Sequence, residues 1–138
     1  MIIAVDFDGT IVEHKYPSIG KTKLFAFETL KALQAQKHHL ILWTYRSGKE
    51  LDEAVAFCKK NGVEFYAVNK NYPEEIFSDE ISRKINADVY IDDRSIGGFP
   101  GWSKVWEMLE DAEQYMKDLE EQNSKSSARR SLFSRLFS

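Results

Sequence analysis

Ile2-Ile3-Ala4-Val5 is a continuous apolar run that stops at Asp6, the pattern of a strand buried on both faces. Leu24, Phe27, Leu30 and Leu33 then recur every third residue, which predicts an amphipathic helix over 23–33. A second buried strand is expected at Leu40-Ile41-Leu42-Trp43, ending on Thr44. Ser47-Gly48-Lys49-Glu50 reads as a capping box for a helix faced by Leu51, Ala54, Val55 and Cys58 and stopped by Gly62. Residues 63–68 predict a third strand, and Ser78 or Asp79 caps a short helix through Ile85. Ala87-Asp88-Val89-Tyr90-Ile91 is a fourth strand ending at Asp92, and the glycines of 97–101 mark a loop. Trp102, Val105, Leu109, Ala112, Met116 and Leu119 stripe a long final helix. Strands alternating with helices predict right-handed crossovers, a parallel sheet and helices on both of its faces: an α/β, Rossmann-like three-layer sandwich.

Composition changes this picture little. At 138 residues, with 43% apolar positions, the chain can bury a core of its own. One cysteine, Cys58, cannot close an internal disulfide, and Met1 opens directly onto a strand, so a soluble, cytoplasmic protein without stable membrane insertion is expected. The charge is more informative. Residues 124–138 carry Lys125, Arg129, Arg130 and Arg135 and no acid, leaving 1–123 with 15 basic and 22 acidic residues. That acidic body argues against nucleic acid as a partner. Two regions follow: a domain over 1–123 and a basic, Ser-rich tail over 124–138, whose Leu132, Phe133, Leu136 and Phe137 would line one side of a short amphipathic helix.

Open parallel sheets bind ligands beyond the carboxyl ends of their strands. Three of the predicted strands end on Asp6, Thr44 and Asp92. Asp6-Phe7-Asp8-Gly9-Thr10 sets two carboxylates two positions apart, so both serve one site only if the backbone curls after Asp6, which Gly9 permits. Asp92-Asp93 adds two more. Like charges at ~4 Å repel by ~4 kcal/mol at an effective dielectric near 20, and a hard divalent cation with oxygen ligands removes that cost. Mg²⁺ suits few carboxylates, water and a substrate phosphate, and no Cys/His cluster suggests zinc.

In this order the motifs resemble those of the haloacid dehalogenase-like (HAD) phosphohydrolases. DFDGT over 6–10 is similar to their first motif, Thr44 to the second, Lys84 to the lysine of the third, and Asp92-Asp93 to the acidic pair of the fourth. The resemblance implies a Mg²⁺-dependent phosphatase with Asp6 as nucleophile, forming an aspartyl-phosphate, and Asp8 as acid and then base. It also implies metal held by Asp6, the Asp8 backbone carbonyl, Asp92 and Asp93, with Thr44 and Lys84 on the phosphoryl group. Lys84 lies only eight positions before Asp92, and Lys70 and Lys104 are the alternatives for its role. Only 33 residues separate Thr10 from Thr44 and 39 separate Thr44 from Lys84, too few for a cap domain, so the HAD-like core is expected to be capless.

Substrate choice would then rest on the short loops 13–21, 69–77 and 94–101. Arg46, beside the start of a predicted helix, and Arg94 are candidates for a second anionic substrate group. His14 is a candidate contact, and Tyr16, Tyr45, Tyr72 and Phe99 are candidates to stack on a planar substrate, although core or rim packing is the favoured reading of these aromatics. His38 and His39, before a strand, read as exposed, and Cys58 as a core residue on a helix face. The expected substrate is a small phosphorylated metabolite, a sugar phosphate or nucleotide. Capless relatives act on large substrates or borrow a lid from another subunit, so the resemblance admits a homo-oligomer. The rival reading keeps the fold as a binding or regulatory module acting through the final helix and basic tail. An oxidoreductase on a similar sheet is disfavoured, since the first strand-to-helix turn lacks GxGxxG.

Overall fold

A computed structural model describes residues 1–137; Ser138 and the Phe137 side chain, both within the predicted tail, lie outside the described residues. Four strands, β1 (Ile2–Val5), β2 (His39–Leu42), β3 (Ala67–Val68) and β4 (Val89–Ile91), form one sheet in the order β3-β2-β1-β4 with every pairing parallel. Three helices complete the chain, α1 (Ala26–Ala35), α2 (Gly48–Lys60) and α3 (Trp102–Phe137). The α/β, Rossmann-like class expected from the hydrophobic pattern is the architecture observed.

The sheet is apolar on both faces, as unbroken apolar runs require. Ile3, Ala4, Val5, Leu40, Ile41 and Leu42 are all buried. On one face Ala4, Ile41, Ala67 and Ile85 form a cluster against which Ile2, Trp43 and Ala87 pack. β1 is central, with Val5 level with both Leu42 of β2 and Ile91 of β4. Two further backbone bonds extend the ladders, Asp6 N to Ile91 O (2.9 Å) and Trp43 N to Val5 O (2.8 Å). The next residues out, Asp6, Thr44 and Asp92, therefore leave the sheet at one edge.

Several expected elements are shortened or displaced. The third strand is reduced from 63–68 to Ala67–Val68, an edge with only Leu42 and Ile41 to pair with. The first helix starts at Ala26 rather than Lys23, because Lys23 N is committed to Ile11 O (2.9 Å) and Phe25 takes a left-handed conformation (φ 64°). Leu24, placed in the core by its spacing, is consequently exposed. Ser47 occupies the cap position of α2 but its side chain makes no capping bond. No helix forms over 78–85. Instead Asn71 reaches both ways, its Oδ1 accepting from Asn86 N (2.7 Å) and its Nδ2 donating to Glu75, and these bonds close 71–86 as an irregular loop.

The chain divides into two compact units, residues 1–103 and the segment from Lys104 onward. The second unit is the body of α3, which continues without a break through the basic tail. The cause is in the composition: no Gly or Pro follows Gly101, so nothing stops the helix. No described helix is long and apolar enough to cross a membrane.

Candidate functional site

The chain curls tightly after Asp6. The amides of Thr10, Ile11 and Val12 all donate to the Phe7 carbonyl, at 3.2, 2.9 and 3.3 Å, and Gly9 N donates to Val12 O at 2.8 Å. Gly9 holds φ +83°, and a Cβ there would lie 2.1 Å from Asp93 Oδ2. Both features demand glycine. The curl is pinned from outside by the buried Trp102, whose indole N–H donates to Thr10 O (2.9 Å).

Asp6, Asp92 and Asp93 each bring one carboxylate oxygen to a common point, all within 4.8 Å of one another. Thr10 Oγ1 donates to Asp6 Oδ2 (3.2 Å) and Arg94 N to Asp92 Oδ1 (2.8 Å). Neither bond neutralises the cluster. Burial, a hydrogen bond with Asp93 and the charge of Asp92 push Asp6 up to about 8. Asp93 Oδ1 is buried without a hydrogen-bond partner. The three carboxylates and the bare Asp93 oxygen form a group that could hold a metal ion. The donor set is all carboxylate oxygen, which suits Mg²⁺.

Asp8 is handled differently. Its two oxygens accept from Arg46 Nε (2.7 Å) and Nη2 (2.8 Å), in the bidentate fork that suits guanidinium and carboxylate. Arg46 is itself buried, and its remaining donors go to Pro17 O, Glu50 O and Ser18 O at 3.2, 3.3 and 2.8 Å. The guanidinium lies between the rings of Phe7 and Tyr16, 5.0 and 5.1 Å from their centroids. All five of its N–H groups thus have acceptors within the protein. Arg46, expected to meet a second anionic group, is instead the hub that ties the Asp8 turn to the 14–19 loop. That loop is closed at its neck by Glu13 N to Lys21 O (2.7 Å), and a Cβ on Gly20 would sit 2.0 Å from Glu13 O.

A cavity of about 380 Å³ is lined by Asp6, Asp8, Asp92 and Thr44 together with His14, Tyr45 and Arg94. The Thr44 hydroxyl accepts from Arg46 N (3.2 Å), which leaves its own hydrogen free to donate into the cavity. Its backbone is set by Asn69, in a left-handed conformation (φ 53°), whose Oδ1 accepts from Thr44 N (2.9 Å). Arg94 Nη2 lies 3.3 Å from His14 Nε2. Tyr45 packs on Tyr16 with ring centroids 4.9 Å apart.

The structure therefore brings together Asp6, Asp8, Thr44, Asp92 and Asp93, and leaves out the lysine. Lys84 Nζ sits over the Tyr90 ring, 5.1 Å from its centroid, in the loop that was expected to be helical. The alternatives fare no better: Lys70 lines a separate groove beside α2 and β3, and Lys104 pairs with Glu107 (3.2 Å). Arg94 is the cation that lines the cavity. Sequence reasoning missed Asn69 and Trp102, both of which act by fixing backbone. Cys58 is buried, its thiol pushed up to about 12 by burial, and takes no part.

No family model and no curated protein matches the chain. A solved structure, that of the conserved protein coded by locus from Bacteroides thetaiotaomicron, matches with 57% identity and a TM-score of 0.77, over 81% of this chain and 91% of that one.

Proposed function

We propose a function from this premise: the chain belongs to the same family as that conserved Bacteroides thetaiotaomicron protein, and its site suits a Mg²⁺-dependent phosphohydrolase of the HAD-like kind. One observation carries the reading. Three carboxylates converge within 4.8 Å at the carboxyl ends of adjacent strands, one of their oxygens buried and bare, with a threonine hydroxyl free to donate beside them.

In this reading Asp6, Asp92 and Asp93 would hold Mg²⁺, with the Asp8 carbonyl as a further oxygen ligand. When bound, the ion supplies positive charge that lets an anionic carboxylate approach an anionic phosphate. An Asp6 oxygen attacks phosphorus as the bond to the leaving oxygen breaks, giving an aspartyl-phosphate. Asp8 is the acid and then the base for that oxygen and the hydrolytic water, and since Arg46 takes both of its oxygens, one of those bonds opens for Asp8 to carry a proton from solvent to the leaving oxygen. Arg46 acts through Asp8 as a positioning residue. Thr44 donates to a phosphoryl oxygen, and Arg94 takes the electrostatic role expected of Lys84. A cavity of about 380 Å³ suits a small substrate, and the body is acidic, so a phosphorylated metabolite such as a sugar phosphate or nucleotide is favoured over a nucleic acid.

Phosphate release from a panel of phosphomonoesters, with Mg²⁺ or with EDTA, tests the reading. Release that needs the metal supports it, and metal-independent release or none from any ester defeats it. A second reading, a binding module acting through α3, is favoured by the unbroken exposure of that helix from Gln114 to Leu136.

A further inference from the structure

The second half of α3 is solvent-exposed among the described residues. Every residue from Gln114 to Leu136 is exposed, about 34 Å of helix at 1.5 Å per residue. The exposed set includes large apolar groups: Tyr115 (63%), Met116 (51%), Leu132 (60%) and Leu136 (70%). A helix of mixed polar surface with no packed face draws little stability from its sequence alone.

Charge along α3 is segregated. Between Lys104 and Asn123 there are seven acids and two lysines, a net of −5. Between Ser124 and Phe137 there are four basic residues and no acid, a net of +4. The helix dipole favours acids at the start and bases at the end, but only within the first and last turns. The acids here run from Glu107 to Glu121, four turns, so the dipole does not account for the pattern.

We propose that α3 pairs antiparallel with the α3 of a second copy of this chain, each basic segment lying on the acidic segment of its partner. The arrangement is self-complementary, as a two-fold interface must be: whatever the first helix offers at one end, the second accepts at the other. Its axis falls near residues 120–123, where the acidic stretch gives way to the basic one. Apolar positions follow suit, because Met108 and Tyr115 on the acidic half face the tail that carries Leu132 and Leu136. A parallel pair would set acid on acid and base on base, at a cost in every turn. An anionic membrane would attract the tail but repel the −5 segment that adjoins it.

Sedimentation equilibrium on the full chain tests this, alone and with charge-reversed variants. The wild type is expected to dimerise, and more weakly as salt rises. Arg129→Glu/Arg130→Glu should weaken the dimer about tenfold or more, as should Glu110→Lys/Asp111→Lys, and all four changes in one chain should restore it. Circular dichroism at each step shows whether helix content survives. A chain monomeric at all concentrations overturns the proposal. So does a dimer indifferent to both reversals, or a tail that binds anionic lipid vesicles while the chain stays monomeric.

Discussion

Asp6 and Asp8 are two residues apart in one turn, yet the protein treats their charges in opposite ways. Asp8 is answered from within: a buried arginine takes both of its oxygens, and that arginine's other donors find backbone carbonyls. Asp6 receives a hydrogen bond from Thr10 but no cationic side chain. It sits with Asp92 and Asp93, burial and their proximity push it up to about 8, and an Asp93 oxygen is left bare. The fold brings a buried arginine to one carboxylate and none to its neighbour, and the proposed Mg²⁺ would supply the second with its counter-charge. The contrast separates a carboxylate cluster that could hold a cation from a carboxylate that already has its counter-charge, although both begin as the same sequence motif.

The comparison is broken most directly by exchanging the acids. Asp6→Asn should lower Mg²⁺-dependent phosphate release by about 10³-fold or more, since the nucleophile is lost, without unfolding the chain. Steady-state rates beside a thermal melt check both parts. Arg46→Ala should do the reverse, acting first on stability. It strands Asp8, whose side chain is 3% exposed, and should cost about 3–5 kcal/mol in urea denaturation.

The charge on Asp6 also sets a pH dependence. Its folded value of about 8 lies above its ordinary value of 3.8, so the metal-free fold binds more protons than the unfolded chain between those limits. Its contribution to stability is fully present below about 4 and is lost as pH rises through 8. Mg²⁺ should therefore stabilise by about 2.7 kcal/mol at pH 8 when present at 100 times its Kd there, and by less at pH 5 at the same concentration, and melts with Mg²⁺ or EDTA at the two values read the difference. Gly9→Ala is the smallest of these changes, about 1–3 kcal/mol, from its φ of +83°. Because the added Cβ presses on Asp93, it should also weaken Mg²⁺ binding, measurable by calorimetry, while leaving the Arg46 hub intact.

The legible parts of this molecule are those where one residue type has one physical use. Ile2–Val5 and Leu40–Leu42 announced buried strands because unbroken apolar runs suit little else, and Asp6, Thr44 and Asp92 followed as their ends. The curl after Asp6 was legible through Gly9. What sequence did not carry was direction. Arg46 beside a helix start looked like an anion site, and only the fold shows its guanidinium turned inward onto Asp8. Lys84 was placed by resemblance to the third motif despite its short spacing from Asp92, but the helix that would have aimed it does not form, because Asn71 draws 71–86 into a loop. Asn69 and Trp102 act on backbone atoms far along the chain, 25 and 92 positions away, which no local pattern reports. The final helix was read too short, since a Ser-rich basic tail looked like an end although it holds no Gly or Pro to make one.

The central claim is that Asp6 carries the phosphoryl group, and trapping it there tests this most directly. Acid quenching during turnover of the best ester, followed by mass spectrometry of the peptide spanning Asp6, should show a phosphorylated Asp6. The adduct should vanish with EDTA and in Asp6→Asn. Turnover with no adduct on the chain, or with the adduct on any other residue, would contradict the account.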